Sequence, residues 1–117
     1  MKNFKQLRIW QQGLEIAVDR YRLVDSFPRE ERFTLASQIT RAAVSIPSNI
    51  AEVSSRTSNK DYNRFLEISL GSSFELETQL LISKAANLGD KLLVENILNK
   101  IDEEQKMIMA FMRKLII

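Results

Sequence analysis

The chain predicts an all-α domain, an up-down-up-down antiparallel four-helix bundle, on three observations. Apolar residues recur at three- and four-residue steps along almost the whole sequence. Its 117 residues include only 3 glycines and 2 prolines, so little of the chain is free to form turns. The few breakers divide it into four segments of roughly 20 to 30 residues joined by short turns, which favours antiparallel neighbours.

The first helix is predicted over residues 4–26. Leu7, Trp10, Leu14, Ala17, Tyr21 and Val24 line one face, taken here as the core seam. Ile9, Ile16 and Leu23 form a second seam at heptad spacing, so the apolar face is wider than one neighbour can cover. That width suits a bundle and leaves room for a subunit contact. Ser26-Phe27-Pro28 breaks the pattern, since proline disfavours helix in the residue before it. Pro28 then fits the first turn of a helix over 28–54, with Glu30 and Glu31 near its positive end. Ala36, Ile39, Ala43, Ile46, Ile50 and Val53 mark its core seam, and Pro47 within it predicts a kink and not a break.

Ser58-Asn59-Lys60-Asp61 resembles a capping box and opens a third helix over 58–87, through Tyr62, Phe65, Leu66, Leu70, Phe74, Leu76, Leu80 and Leu81. Ser69 to Ser73 is a run of small residues around Gly71, and a mid-helix glycine costs ~1 kcal/mol relative to alanine. Close approach of helix two at Ala42, Ala43 and Ser45 is the expected compensation. Leu88-Gly89-Asp90 supplies a glycine stop and a new N-cap for a fourth helix over 90–115. Val94, Ile97, Ile101, Ile108, Phe111 and Leu115 share one face of it, interrupted by Glu104, for which Arg41 is a conceivable partner across the bundle.

Composition excludes several chemistries. With no cysteine there is no disulfide, thiolate nucleophile or zinc–sulfur site. With no histidine the usual general base and the Glu-x-x-His pairs of di-iron bundles are missing. Glu75 and Glu77 are two apart on a helix and point in different directions, so they cannot share a substrate. No enzymatic activity and no cofactor or metal is expected. No apolar run reaches the ~20 residues needed to cross a bilayer, which predicts a cytoplasmic protein.

The predicted topology gathers Lys2, Lys5, Arg8, Arg56, Lys60, Arg64, Arg113 and Lys114 at one end against Glu52 and Asp61, a local balance of +6. Charges at the opposite end cancel and the middle carries −4, so the net charge of +2 hides a polarised molecule. A basic end of this kind attracts phosphates by counterion release; the plainer alternative is that it only promotes solubility. On helix two, Gln38, Arg41, Ser45, Asn49, Glu52 and Arg56 form a polar stripe, read either as a recognition surface or inter-subunit polar network, or as a solvated face.

These residues resemble the small four-helix-bundle proteins encoded in intervening sequences of bacterial 23S ribosomal RNA genes. The resemblance covers Phe4 to Leu115 and rests on Trp10, Phe27-Pro28 with Glu31, Gln38 with Arg41-Ala42-Ala43, Ser45 to Glu52, Arg56, and Gly71-Ser72 with Glu75-Leu76-Glu77. Where that family usually has glycine after Asn-Ile-Ala-Glu, this chain has Val53, which disfavours a left-handed backbone and predicts a later end to helix two. The resemblance implies a non-enzymatic bundle that assembles into a ring, typically a homopentamer. The chain is also similar to the accessory proteins of diversity-generating retroelements, which are more basic and bind nucleic acid and a reverse transcriptase.

Together these readings predict a ring-forming bundle that binds structured RNA or DNA through its basic end. Arg56, Lys60 and Arg64 are the leading phosphate contacts, assisted by Lys2, Lys5, Arg8, Arg113 and Lys114. Arg41, Asn49 and Glu52 are the candidate polar network. The alternative is an adaptor that binds a protein partner and has no nucleic-acid role. Neither reading involves a membrane.

Overall fold

The computed structural model describes residues 3–115 and the backbone of Ile116. Four α-helices, α1 (Arg8–Asp25), α2 (Leu35–Glu52), α3 (Asn59–Ala85) and α4 (Lys91–Ile116), account for most of the chain. Short 3₁₀ turns at Phe4–Gln6, Arg29–Glu31 and Val53–Ser55 sit before α1, before α2 and after α2, and there is no strand among the described residues. Each helix packs on the next and α4 closes against α1, giving an up-down-up-down square bundle of 45 × 21 × 20 Å.

Both ends of the square are tied by hydrogen bonds. At one, the Asp90 amide donates to Ser26 Oγ at 2.8 Å, linking the end of α1 to the start of α4. At the other, Asn59 Nδ2 donates to the Leu115 carbonyl at 3.3 Å, linking the start of α3 to the end of α4.

The inward face of α1 is the heptad seam of Ile9, Ile16 and Leu23. Leu14 and Tyr21, expected in the core, are exposed. Both seams have helical spacing, so periodicity alone could not decide between them. Burying each Ile or Leu contributes about 1.5–3 kcal/mol, and the three-residue seam shares the core with Ile39, Ala43, Ile46 and Ile50 of α2, Leu66, Leu76 and Leu80 of α3, and Val94, Ile97, Ile101 and Ile108 of α4. Of the other seam, Ala17 is buried and Leu7, Trp10 and Val24 pack against the edge of this core.

Several local expectations need correction. α2 begins at Leu35, because Pro28 opens the separate Arg29–Glu31 turn instead of the helix. α2 runs through Pro47 to Glu52, and Val53 keeps a right-handed φ of −56° that passes the chain into the following 3₁₀ turn. α3 is stopped by Asn87 at φ 58°, not by Gly89. The Leu88 amide bonds the Ser83 carbonyl at 2.9 Å and the Asn87 amide bonds Lys84 at 3.3 Å, a Schellman closure. Gly89 is needed for a different reason: its φ is 78°, and a Cβ there would lie 2.3 Å from the Phe27 ring.

The caps at Ser58 and Asp90 form as their residue types suggest. Ser58 Oγ accepts from the Asp61 amide at 3.2 Å, and Asp90 Oδ1 accepts from Leu92 and Leu93 at 2.9 and 3.1 Å.

Small residues do join α2 to α3, although Gly71 is not among the contacts. Ser45 and Ser72 hydroxyls are 2.8 Å apart, and Ser69 Oγ donates to the Ile46 carbonyl at 2.9 Å. The close approach at a glycine occurs instead at Gly13 of α1, where a Cβ would stand 3.2 Å from Glu104 Oε2, 3.3 Å from Ile46 and 3.4 Å from Pro47. Glu104 is fully buried there, and neither carboxylate oxygen has a hydrogen-bond partner. Arg41 is exposed on α2 and does not reach it.

Candidate nucleic-acid interface

Antiparallel packing brings the starts of α1 and α3 and the ends of α2 and α4 to one end of the bundle. Lys5 lies in the first 3₁₀ turn, where Asn3 Oδ1 caps its amide at 3.0 Å and Gln11 Nε2 donates to its carbonyl at 3.0 Å. Phe4 packs edge-on against Trp10 with ring centres 5.2 Å apart, which holds this turn against α1. Arg8 is exposed in the first turn of α1. Arg113 and Lys114 occupy the last turn of α4, where cations complement the helix dipole.

Lys60 and Arg64 are four residues apart near the start of α3, so they project from one exposed face. Arg56, just before that helix, is held differently. Its guanidinium sits 4.5 Å from the centre of the Phe65 ring and 3.8 Å from Glu52. These contacts fix its direction and leave it half-exposed. The structure thus brings Lys5, Arg8, Arg56, Lys60, Arg64, Arg113 and Lys114 to one end; Lys2 lies outside the described residues. Among the described residues, no carboxylate is within ion-pair distance of any of these cations except Glu52 beside Arg56.

Arg41, Asn49 and Glu52 do not form one network. Asn49 Nδ2 donates to the Ser45 carbonyl and hydroxyl, both at 2.9 Å, and through Ser45 connects to Ser72. Glu52 turns to Arg56, while Arg41 makes no ion pair among the described residues. The motif is therefore two local contacts on one side of α2, plus an unengaged arginine.

Away from this end, the acidic middle is cross-linked in ways that no sequence pattern announced. Lys100 of α4 bonds Asp19 at 2.5 Å and Glu15 at 3.1 Å on α1. The Asp19 hydrogen bond is the main reason its ammonium is held above the ordinary lysine value, with Glu15 adding to the effect and partial burial opposing it. Gln12 donates to Glu103 at 2.8 Å, and Gln105 donates to Glu77 at 2.9 Å. The Glu104 carboxyl is pushed from 4.5 up to about 8, first by burial and then by neighbouring Glu103. No helix among the described residues is long and apolar enough to cross a membrane, and no cluster of three or more acidic side chains there is placed to hold a metal.

A family model described as 23S rRNA-intervening sequence protein matches residues 5–110. Among solved structures, the chain is similar to a protein of unknown function from the S23 ribosomal protein family of Bacteroides thetaiotaomicron VPI-5482. The two share 26% identity over 90% of this chain and 95% of that one, with a TM-score of 0.82. No curated protein sequence matches the chain. The matched span takes in the α2 motif, the α3 small-residue run and most of the basic end, and the chain belongs to the 23S rRNA-intervening sequence protein family.

Proposed function

We propose that this protein is a non-enzymatic, cytoplasmic bundle that assembles with copies of itself into a ring and binds structured nucleic acid through its basic end. The observation that carries the reading is the gathering of seven described cations from three separate stretches of sequence onto one end, with little acidic counterweight. The contact is to phosphate. The surface consists of helix ends and turns, with no free helix to enter a groove, so binding is strong in charge and weak in sequence preference. A ring would repeat the patch around its axis and multiply the counterions released. Self-assembly is further supported by Leu14, Val18 and Tyr21 of α1 and by the outer face of α3, which remain apolar and exposed.

Arg56→Glu would remove its stacking on Phe65 as well as its charge, so the test uses Lys60→Glu/Arg64→Glu, whose side chains are exposed. Fluorescence anisotropy with a structured RNA and a DNA duplex is expected to show binding that weakens steeply from low to physiological salt. The double variant should lose at least tenfold in affinity at low salt with its melting temperature unchanged. Absence of binding by the wild-type protein at low salt would overturn the nucleic-acid reading and favour the adaptor.

A further inference from the structure

Two exposed apolar surfaces lie on different sides of the bundle, and neither is covered within the chain. The first is the outer ridge of α3, where Ile68, Phe74, Leu81 and Ile82 are 43–50% exposed. Gly71 stands at the centre of this ridge by helical spacing, and a Cβ there would meet nothing within 4 Å. No contact inside the chain therefore accounts for a glycine, which is disfavoured in mid-helix. The second surface is a groove of about 370 Å³ between α1 and α2, lined by Trp10, Leu14, Val18, Tyr21, Val44 and Ala51.

The two surfaces also differ in charge. Glu67 and Glu75 are exposed on the ridge. Arg20 lines the groove, where it donates to Thr40 at 3.2 Å and stacks on Tyr21, and Arg41 is exposed one turn from Val44. Among the described residues neither arginine has a carboxylate in ion-pair range, and neither glutamate has a cation.

We infer that the α3 ridge of one copy seats in the α1–α2 groove of the next, with Gly71 at the point of closest approach and Glu67 and Glu75 facing Arg20 and Arg41. Ridge and groove belong to different elements, so the contact is head to tail. The ridge is on the corner diagonal to α1 and the groove on the side shared by α1 and α2. Their outward directions are not opposed, so each contact turns one copy relative to the last, as a closed ring requires. This inference rests on the self-assembly part of the proposed function and is independent of nucleic-acid binding.

The test blocks one surface at a time. Gly71→Leu fills the ridge in open space, and Val44→Arg places a bulky cation in the groove; thermal melts establish that each variant folds. Mass is read by sedimentation velocity. Wild-type protein is expected as a closed oligomer and each variant alone as a monomer. An equimolar mixture should give a species of twice the monomer mass, because one intact ridge still meets one intact groove. Wild-type protein that stays monomeric would overturn both this inference and the self-assembly reading. An assembled wild type whose variants also assemble, or whose monomeric variants fail to pair on mixing, would overturn the ridge-in-groove contact alone.

Discussion

Glu104 sits among Gly13, Ile46 and Pro47 with no exposure and no hydrogen bond to either oxygen, so the core holds it in the neutral form at pH 7. The unfolded chain releases this proton near 4.5, whereas the folded chain keeps it up to about 8. Between those values the native state binds more protons than the unfolded one. The Glu104 contribution to stability is therefore most favourable below 4.5, declines as pH rises, and levels off above about 8. Replacing the carboxyl by a hydrocarbon removes that slope. Glu104→Leu is expected to raise stability by about 1–4 kcal/mol at pH 8 and by less at pH 5, measured by urea denaturation at both. An equal gain at the two values would show that the side chain is not titrating in this range. Its place at a seam position was visible in the sequence as an interruption. Its lack of any partner was not, because that depends on which residues three other helices present.

At the scale of elements, the α3–α4 connection shows two residues dividing a task that one glycine was expected to perform. Asn87 supplies the left-handed stop, while Gly89 both takes φ 78° and leaves room for the Phe27 ring. Gly89→Ala meets strain and a clash together, and is expected to lower stability by about 2–4 kcal/mol, seen as a fall in melting temperature. Asn87→Gly, by contrast, should be tolerated or mildly stabilising. The four helices, the Ser58 and Asp90 caps and the shared basic end were legible because they follow from local pattern and connectivity alone. The start of α2 was not, since proline suits the opening of a 3₁₀ turn as well as that of an α-helix. Nor was the inward seam of α1: two stripes with the same spacing differ only in what they meet. The same limit made Gly71, and not Gly13, look like the close approach.

For the whole molecule, a bundle with uncovered apolar faces has a stability that depends on how many copies are present. Association that favours the folded chain raises the unfolding temperature by mass action. The wild-type melting temperature is expected to climb across a hundredfold range of protein concentration, while that of Gly71→Leu stays level; parallel melts by circular dichroism check this. A flat wild-type curve would place the exposed faces outside any strong self-contact. Arg56 acts at this scale too, because its stack on Phe65 ties the α2–α3 turn to the body of α3 and so holds part of the basic end in position.

The bond between Asn59 and Leu115, together with the packing of Phe4 on Trp10, puts both ends of the described chain at the charged end of the bundle. Anything fused to either end, such as a purification tag, a fluorescent domain or a surface tether, would emerge beside Lys5 and Arg113 and screen the surface whose binding is to be measured. The turn around Phe33, which is 86% exposed at the far end, is the better place to attach a reporter.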